Sequence, residues 1–527
     1  MKIIKGVLTY TMLLIGGALI ICMALIGCMF LFPNFKVFGW GVMFQSNKLV
    51  TDIKSEKFSP LEDQGNSDKV ITLDIDAKLH DVEIYQFSDS TEYISIQKYD
   101  DMFGLMKGSR DNYDGSVTLD KVKDNIENHY KIETKAIEGA ILKRTSRIIV
   151  YVPNRQNYVF NISTTNGNIT INGGQKEVAG KVETATNLQV RGLNLKTTSG
   201  DFSWNNIYNK EKIVSLNTLI AKTNTGKFDF TLGDDITLKS KPDSQYYLEC
   251  KRGEFLFNNI DADKVNIVGD DVLVRANKLH TEKSFYFNAP SGFFDVTTLT
   301  NNDKGLSTII TNNIDVKLDT VNGELAITTT YGDITVNKTM SNATLKSING
   351  NITVGEANSS LSAISEHGDI TVGKYSAKVY LKNKHGKIVA SFDTDAERNY
   401  ANASTMINEE GSITANKLIL PTNLTTTSGG TINASYYLLP THTKPRVEHE
   451  VNLQGGGKAY LQLPNTNAFM FIGYGNISGR VSSQDMVACD EAQTILTPAT
   501  DDTKDDMTLL TVRGATGSTV FSTYNGD

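Results

Sequence analysis

Little in this chain could staple it together. Four cysteines stand among 527 residues, and two of them, Cys22 and Cys28, fall in an apolar N-terminal run. Cys250 and Cys489 remain in the body, far apart, so a disulfide framework is excluded as the organising device and two buried free thiols are expected. Proline is scarce (10) beside 42 glycines, which excludes a proline-rich linker protein and fits short strands joined by tight turns. Basic excess is missing: 52 Lys and Arg against 59 Asp and Glu give a net charge of -7, without the basic stripe a nucleic-acid partner requires. No nucleophile elbow, Walker loop, dinucleotide fingerprint or CxxC pair occurs.

What the chain does have is a repeat. Gly332, Gly350, Gly368 and Gly386 recur every 18 residues, in Tyr331-Gly332-Asp333-Ile334-Thr335-Val336 and its three successors. Other columns keep the step: Leu325, Ala343, Leu361 and Val379; Ile327, Leu345, Ala363 and Leu381. Apolar columns at a fixed short interval mark a chain coiled on itself, each coil resting on the last. Within a coil, apolar and polar residues alternate, as strands with one buried face do. The fold class expected is all-β, a parallel β-solenoid, which grows by adding coils rather than by enlarging one globular core. The glycines are expected at turns needing positive φ, so Gly368→Val should destabilise more than Asp369→Ser.

Ahead of the repeat, Lys2 and Lys5 precede an uncharged run, Val7 to Phe32, of 26 residues. A hydrocarbon core needs about 20 residues, and a cleavable signal has an apolar region of roughly 7–15. The run reads as a single-pass transmembrane anchor, with residues 1–35 as cytoplasmic stub and span. Leu25-Ile26-Gly27-Cys28 has the form of a lipobox, the alternative reading, although the chain stays apolar past Cys28. Lys2 and Lys5 favour a cytoplasmic N-terminus, and Lys36 and Lys48 weaken that asymmetry. The Thr- and Asn-rich body is placed outside. Residues 36–69 read as a juxtamembrane linker, with Phe35, Phe38, Trp40 and Phe44 at the membrane–water interface and Pro60 and Gly65 in its polar part.

The solenoid domain is drawn over 70–527, with 100–144 as an inserted or capping segment containing a hairpin or short helix. Ile148-Ile149-Val150-Tyr151-Val152-Pro153 leads through a second strand to Thr165-Asn166-Gly167-Asn168-Ile169-Thr170-Ile171. A like unit returns at Ala459–Pro464 and Tyr474-Gly475-Asn476-Ile477. Glycine spacing is loose up to Gly292, from either coils without the glycine or inserted loops.

The Val-Tyr-Val-Pro strand leading into Asn-Gly-Asn-Ile-Thr-Ile, together with the Gly-Asp/Asn-Ile-Thr-Val repeats, resembles a bacterial adhesin-like domain family of unknown function. That family is common in membrane-anchored surface proteins of Gram-positive bacteria. The resemblance covers most of 70–520 and implies a right-handed, β-helix-like ectodomain on a membrane anchor. It implies no catalytic residues.

Candidate chemistry is thin. Asp333 and Asp369 share a column two coils apart, about 9.6 Å at a coil rise of about 4.8 Å; that spacing approaches an inverting glycosidase pair, and Asp beside a turn glycine has an ordinary structural cause. His367 and His385 stack beside Asp369, without a third ligand in the column. Asp501, Asp502, Asp505 and Asp506 lack the spacing of a calcium loop. Phe202, Trp204, Phe228, Phe230, Phe255, Phe257, Phe293 and Phe294 read as core, or, if outward, as a ladder for sugar rings. No catalytic, cofactor or metal residue is assigned. The expected function is a non-catalytic, membrane-anchored surface protein in adhesion or envelope structure, contacting cell-wall polymer or another envelope protein. A glycan-degrading β-helix enzyme and an envelope-stress regulatory partner are the alternatives.

Overall fold

The computed structural model describes residues 2–31, 40–57, 70–87, 91–107, 117–123, 128–134, 141–153, 157–172, 177–178, 181–182, 188–205, 213–232, 236–302, 305–395, 403–437, 447–464, 469–481, 484–485, 488–489, 493–496 and 508–524. Among the described residues, one helix, α1 (Lys2–Leu31), precedes strands joined by short turns. Its Thr11–Cys28 window is long and apolar enough to cross a membrane, and none of it is buried against the rest of the protein. A membrane anchor and an export signal share that property. The remainder is a parallel β-solenoid, as the columns predict. It packs as two compact units, Met1–Gly233 and Asp234–Asp527, where the sequence reading drew one domain from residue 70.

In the second unit the 18-residue columns become ladders. Ile334, Ile352, Ile370, Ile388, Ile413 and Ile432 pair in parallel register, and so do Val336, Val354, Val372, Ala390, Ala415 and Ala434. All are buried. Each Ile or Val so seated contributes about 1.5–3 kcal/mol relative to exposure, which is why the columns hold the stack.

The turn glycines serve a different purpose from the one expected. None of Gly332, Gly350, Gly368 and Gly386 has a left-handed φ, whereas Gly226, Gly292 and Gly323 do. A Cβ on Gly368 would instead run into the carbonyl of Gly350, and one on Gly350 into that of Gly332. Close approach of successive coils, not turn conformation, selects glycine here.

Loose glycine spacing has two causes. In the second unit, the coil between Gly253 and Gly292 carries Val272 in register with Gly292, and the steps are 20 (Asp271 to Ser291) and 22 (Ser284 to Leu306). In the first unit, insertions lengthen the coils, with steps of 33 (Asn161 to Asn194) and 26 (Gly192 to Thr218).

The first unit holds β1 (Trp40–Lys54), β2 (Val70–Lys78), β3 (Asp81–Gln86), β4 (Ser95–Lys107), β5 (Val117–Lys121), β6 (His129–Thr134), β7 (Ile141–Val152), β8 (Asn157–Thr164) and β9 (Ile169–Asn172). After a two-residue hairpin, β10 (Glu177–Val178) and β11 (Lys181–Val182), come β12 (Gln189–Ser199), β13 (Phe202–Asn205), β14 (Ile213–Ser215) and β15 (Thr218–Phe230). Its coils are not stacked in sequence order. β2 lies between β6 and β8, and β3 between β7 and β9, all parallel. The coil that comes first in the chain is therefore second in the stack.

Antiparallel strands cover that end: β5 lies on β6, and β4 lies on β7 with β1 beyond it. The segment 100–144 thus supplies parts of four strands and no described helix. Residues 40–54, expected as linker, form β1. Two register shifts, after Gln45 and after Leu49, break its alternation and hide the strand from sequence. Phe35, Phe38, Pro60 and Gly65 lie outside the described residues.

The C-terminal end of the second unit is threaded in the same way. Thr508–Tyr524 pairs with Glu448–Leu453 and Lys458–Pro464 on one side and with Phe469–Val481 on the other. Gln493–Leu496 then runs antiparallel on Phe469–Val481.

Candidate functional site

The candidates read from sequence find structural explanations. Asp333 Oδ1 accepts the Asn351 N–H at 2.7 Å, Asn351 Oδ1 the Asp369 N–H at 2.8 Å, and Asp369 Oδ1 the Lys387 N–H at 2.8 Å. The post-glycine column is a ladder of side-chain acceptors, each holding the next coil's backbone, and it stops at a lysine, which accepts nothing. The first unit repeats the device through Asp81, Asn168 and Asp201 to Lys227. His367 and His385 stack with ring centroids 4.8 Å apart and planes 4° from parallel. Parallel rings do not converge on one cation, and His385 Nδ1 lies 2.7 Å from Glu410.

Phe202, Trp204, Phe228, Phe230, Phe255, Phe257 and Phe294 are buried, as the core reading expects, and the alternative of an outward ladder for sugar rings falls. Phe293 is half-buried beneath Arg275. Cys250 is a free, buried thiol, pushed up to about 12 by burial and by Asp271, Asp270 and Glu249 nearby. Asp501, Asp502, Asp505 and Asp506 lie outside the described residues.

The outer face of the first unit carries what sequence reasoning missed. In β3 the inward residues are Val82, Ile84 and Gln86, leaving Asp81, Glu83 and Tyr85 outward. Pairing with β7 sets Tyr85 opposite Tyr151 and Asp81 opposite Arg147, and β4 adds Tyr99 opposite Arg147 and Gln97 opposite Ile149. Tyr85 and Tyr151 stack at 5.7 Å, Tyr151 and Phe87 at 5.5 Å, and Tyr93 meets Phe87 edge-on at 5.7 Å. All four rings are half-buried. The only sequence signal was tyrosine at an outward position of an alternating strand.

Polar groups rim this platform. Arg147 lies over Tyr99 at 5.0 Å and 3.6 Å from Glu83. Tyr85 donates to Glu83 at 3.0 Å, and Tyr99 to Gln97 at 3.2 Å. Burial, then Glu83, pushes the Tyr85 phenol up to about 12, so it stays a neutral donor at ordinary pH. A cleft of about 340 Å³, lined by Asp81, Tyr99, Asp101, Thr145 and Arg147 among others, shares Asp81, Tyr99 and Arg147 with that outer face. Burial raises the Asp81 carboxyl above its ordinary value, partly opposed by its hydrogen bond from Asn168. Half-exposed stacked rings beside carboxylates, a guanidinium and hydroxyls give this outer face a mixed apolar and hydrogen-bonding surface.

A second open cleft, about 370 Å³, lies over β6, β2, β8 and β12. Its carboxylates are engaged: Asp74 by His129 at 2.8 Å and Asn161 at 2.7 Å, Asp76 by Ser163 at 3.3 Å. It has no aromatic floor.

Neither a curated protein nor a solved structure matches the chain. Residues 70–414 match the family described as Toastrack DUF4097, a β-solenoid domain of unknown function. That match takes in the glycine ladders, both clefts and the aromatic platform, and the chain belongs to the Toastrack DUF4097 family.

Proposed function

We propose that the protein is a non-catalytic envelope protein, anchored by α1 with its body on the outer side, and that the first unit binds a hydroxyl-rich cell-wall polymer. The observation that carries the reading is the stacked, half-exposed set Tyr85, Tyr151 and Phe87 beside the Asp81–Arg147 cleft. Aromatic anchors with a polar rim are what sugar polymers are held by, and the long solenoid suits an extended ligand. The net charge of -7 keeps nucleic acid out of the reading.

The test uses the full chain in detergent against a panel of purified cell-wall polymers, with binding and release of new reducing ends both measured. Tyr85→Ala/Tyr151→Ala should weaken binding about tenfold or more, equivalent to about 1.4 kcal/mol, while Tyr331→Ala leaves it unchanged. Unaltered affinity in the double variant removes the platform from the reading. Release of reducing ends lost on Asp81→Asn replaces it with the enzymatic alternative. Protease digestion of intact cells checks the placement of the body.

A further inference from the structure

In the second unit, Asp261 and His280 lie on the long strand Gln245–Ala289, one coil apart, and Glu282 follows two residues after His280. Asp261, His280 and Glu282 each present one donor atom, and the three lie within 4.8 Å of one another. His280 Nε2 is 3.9 Å from Asp261 Oδ1 and 3.3 Å from Glu282 Oε1.

The second atom of every donor group is held by a neighbour outside the cluster. His280 Nδ1 is 2.9 Å from the Thr300 hydroxyl, its register partner on the next coil. Asp261 Oδ2 is 3.0 Å from Lys239 Nζ, also its register partner. Glu282 Oε2 accepts from the Asn302 amide.

From this arrangement we infer that Asp261, His280 and Glu282 form a binding site for a divalent transition cation of the Zn²⁺ type. When Nδ1–H donates to the Thr300 hydroxyl, Nε2 turns its lone pair toward the Asp261 and Glu282 oxygens, and a cation there takes the place of the proton in the Nε2–Glu282 hydrogen bond. Outer partners that orient each ligand are the usual companions of a metal site. One imidazole with two carboxylates is a borderline donor set, which suits Zn²⁺ or Mn²⁺ better than Ca²⁺. The Lys239 ammonium offsets one carboxylate, so the site carries a single net negative charge before binding. All three side chains are partly exposed, at 27%, 32% and 45%, so an ion can enter and water can complete its shell.

The test is calorimetric titration of the full chain in detergent, stripped with chelator, with Zn²⁺ and with Ca²⁺. One equivalent of Zn²⁺ should bind, more tightly than Ca²⁺ and with a rise in melting temperature. His280→Ala and Glu282→Gln should each weaken Zn²⁺ at least tenfold, Thr300→Val about tenfold, and His367→Ala not at all. These positions are on the outer face, and metal-free melting of each variant checks that it is folded. Absence of Zn²⁺ binding, an unchanged titration in His280→Ala, or tighter Ca²⁺ than Zn²⁺ binding overturns the assignment.

Discussion

Ser365 Oγ accepts the Gly368 N–H at 2.9 Å and donates to the Gly350 carbonyl at 3.2 Å, so one hydroxyl closes a turn and ties it to the preceding coil. Ser347 does the same for Gly350 and Gly332, at 2.8 and 3.3 Å. Asn383 and Asn408 continue the column with amides. The position needs a donor and an acceptor at once, in the dry interior. Ser365→Ala removes both and should lower stability by about 1–3 kcal/mol, with Ser365→Thr losing less. Denaturant midpoints of the full chain in detergent read the difference, and equal losses would deny the hydroxyl its bridging role.

The adjoining glycine sets a second contrast. Gly368→Val drives a side chain into the Gly350 carbonyl, which backbone cannot yield cheaply. Its loss should reach the top of the ordinary range, about 3 kcal/mol or more. Asp369→Ser gives up one exposed acceptor for the Lys387 N–H and should lose about 1 kcal/mol or less. Thermal melts of the two variants should therefore separate clearly.

How much of this was readable from the sequence follows from where the pairing partner lies. Ile334 meets Ile352 one short step along the chain, so the ladder shows as a period. Asp74 meets Asn161 across an 87-residue gap, which leaves no local trace, so the strands β2 and β8 were legible and their adjacency was not. The aromatic platform shares that fate, because Tyr85 and Tyr151 become neighbours only once β3 is laid on β7. The Ser/Thr/Asn column was written in the chain, as Thr329, Ser347, Ser365 and Asn383 each three residues before a turn glycine. That column has no role in the sequence reading, because the apolar columns alone were followed inward, yet its members are buried.

Lys98 and Asp100 are both fully buried in β4, 2.8 Å apart, with Ser146 of β7 on the other carboxylate oxygen. An ion pair in a core position is sensitive to losing one partner and tolerant of losing both. Lys98→Met should therefore destabilise by about 3–5 kcal/mol, while Lys98→Met/Asp100→Leu should come back to near the parent stability or above it. A double-mutant cycle on melting midpoints measures this. Additive losses would mean that the two charges are solvated independently.

His449 is 3% exposed, between Thr422 and Leu510 in the ladder, with Tyr436 edge-on at 4.8 Å. Burial lowers its pKa to about 3 from the usual 6.5. The folded state thus holds the ring neutral, while the unfolded chain takes up a proton below about 6.5. The stability this contributes is complete above that pH and is lost as pH falls toward 3. Between pH 6.5 and 5 the decline from this group should approach about 2 kcal/mol, in a range above most carboxylate titration. His449→Phe should flatten that stretch of the stability–pH curve, and an unchanged slope would place the proton uptake elsewhere.

The last strand bears on solubility. Thr508–Tyr524 lies inside the terminal coil, satisfying Glu448–Leu453 and Lys458–Pro464 on one side and Phe469–Val481 on the other. Parallel strands left without a neighbour present rows of free N–H and C=O groups that recruit other chains. Deleting residues 508–527 therefore uncovers three strand edges at once, with Leu510 gone from beside His449 and Val512 from beside Val451 in the core. The truncated protein should run as oligomers or aggregates in light scattering where the full chain in the same detergent does not. Removal of residues 525–527 alone, which leaves every one of these pairings in place, should change nothing. A monodisperse product from the longer deletion would mean that Phe469–Val481 can dock directly on the coil beneath, making the inserted strand dispensable as a seal.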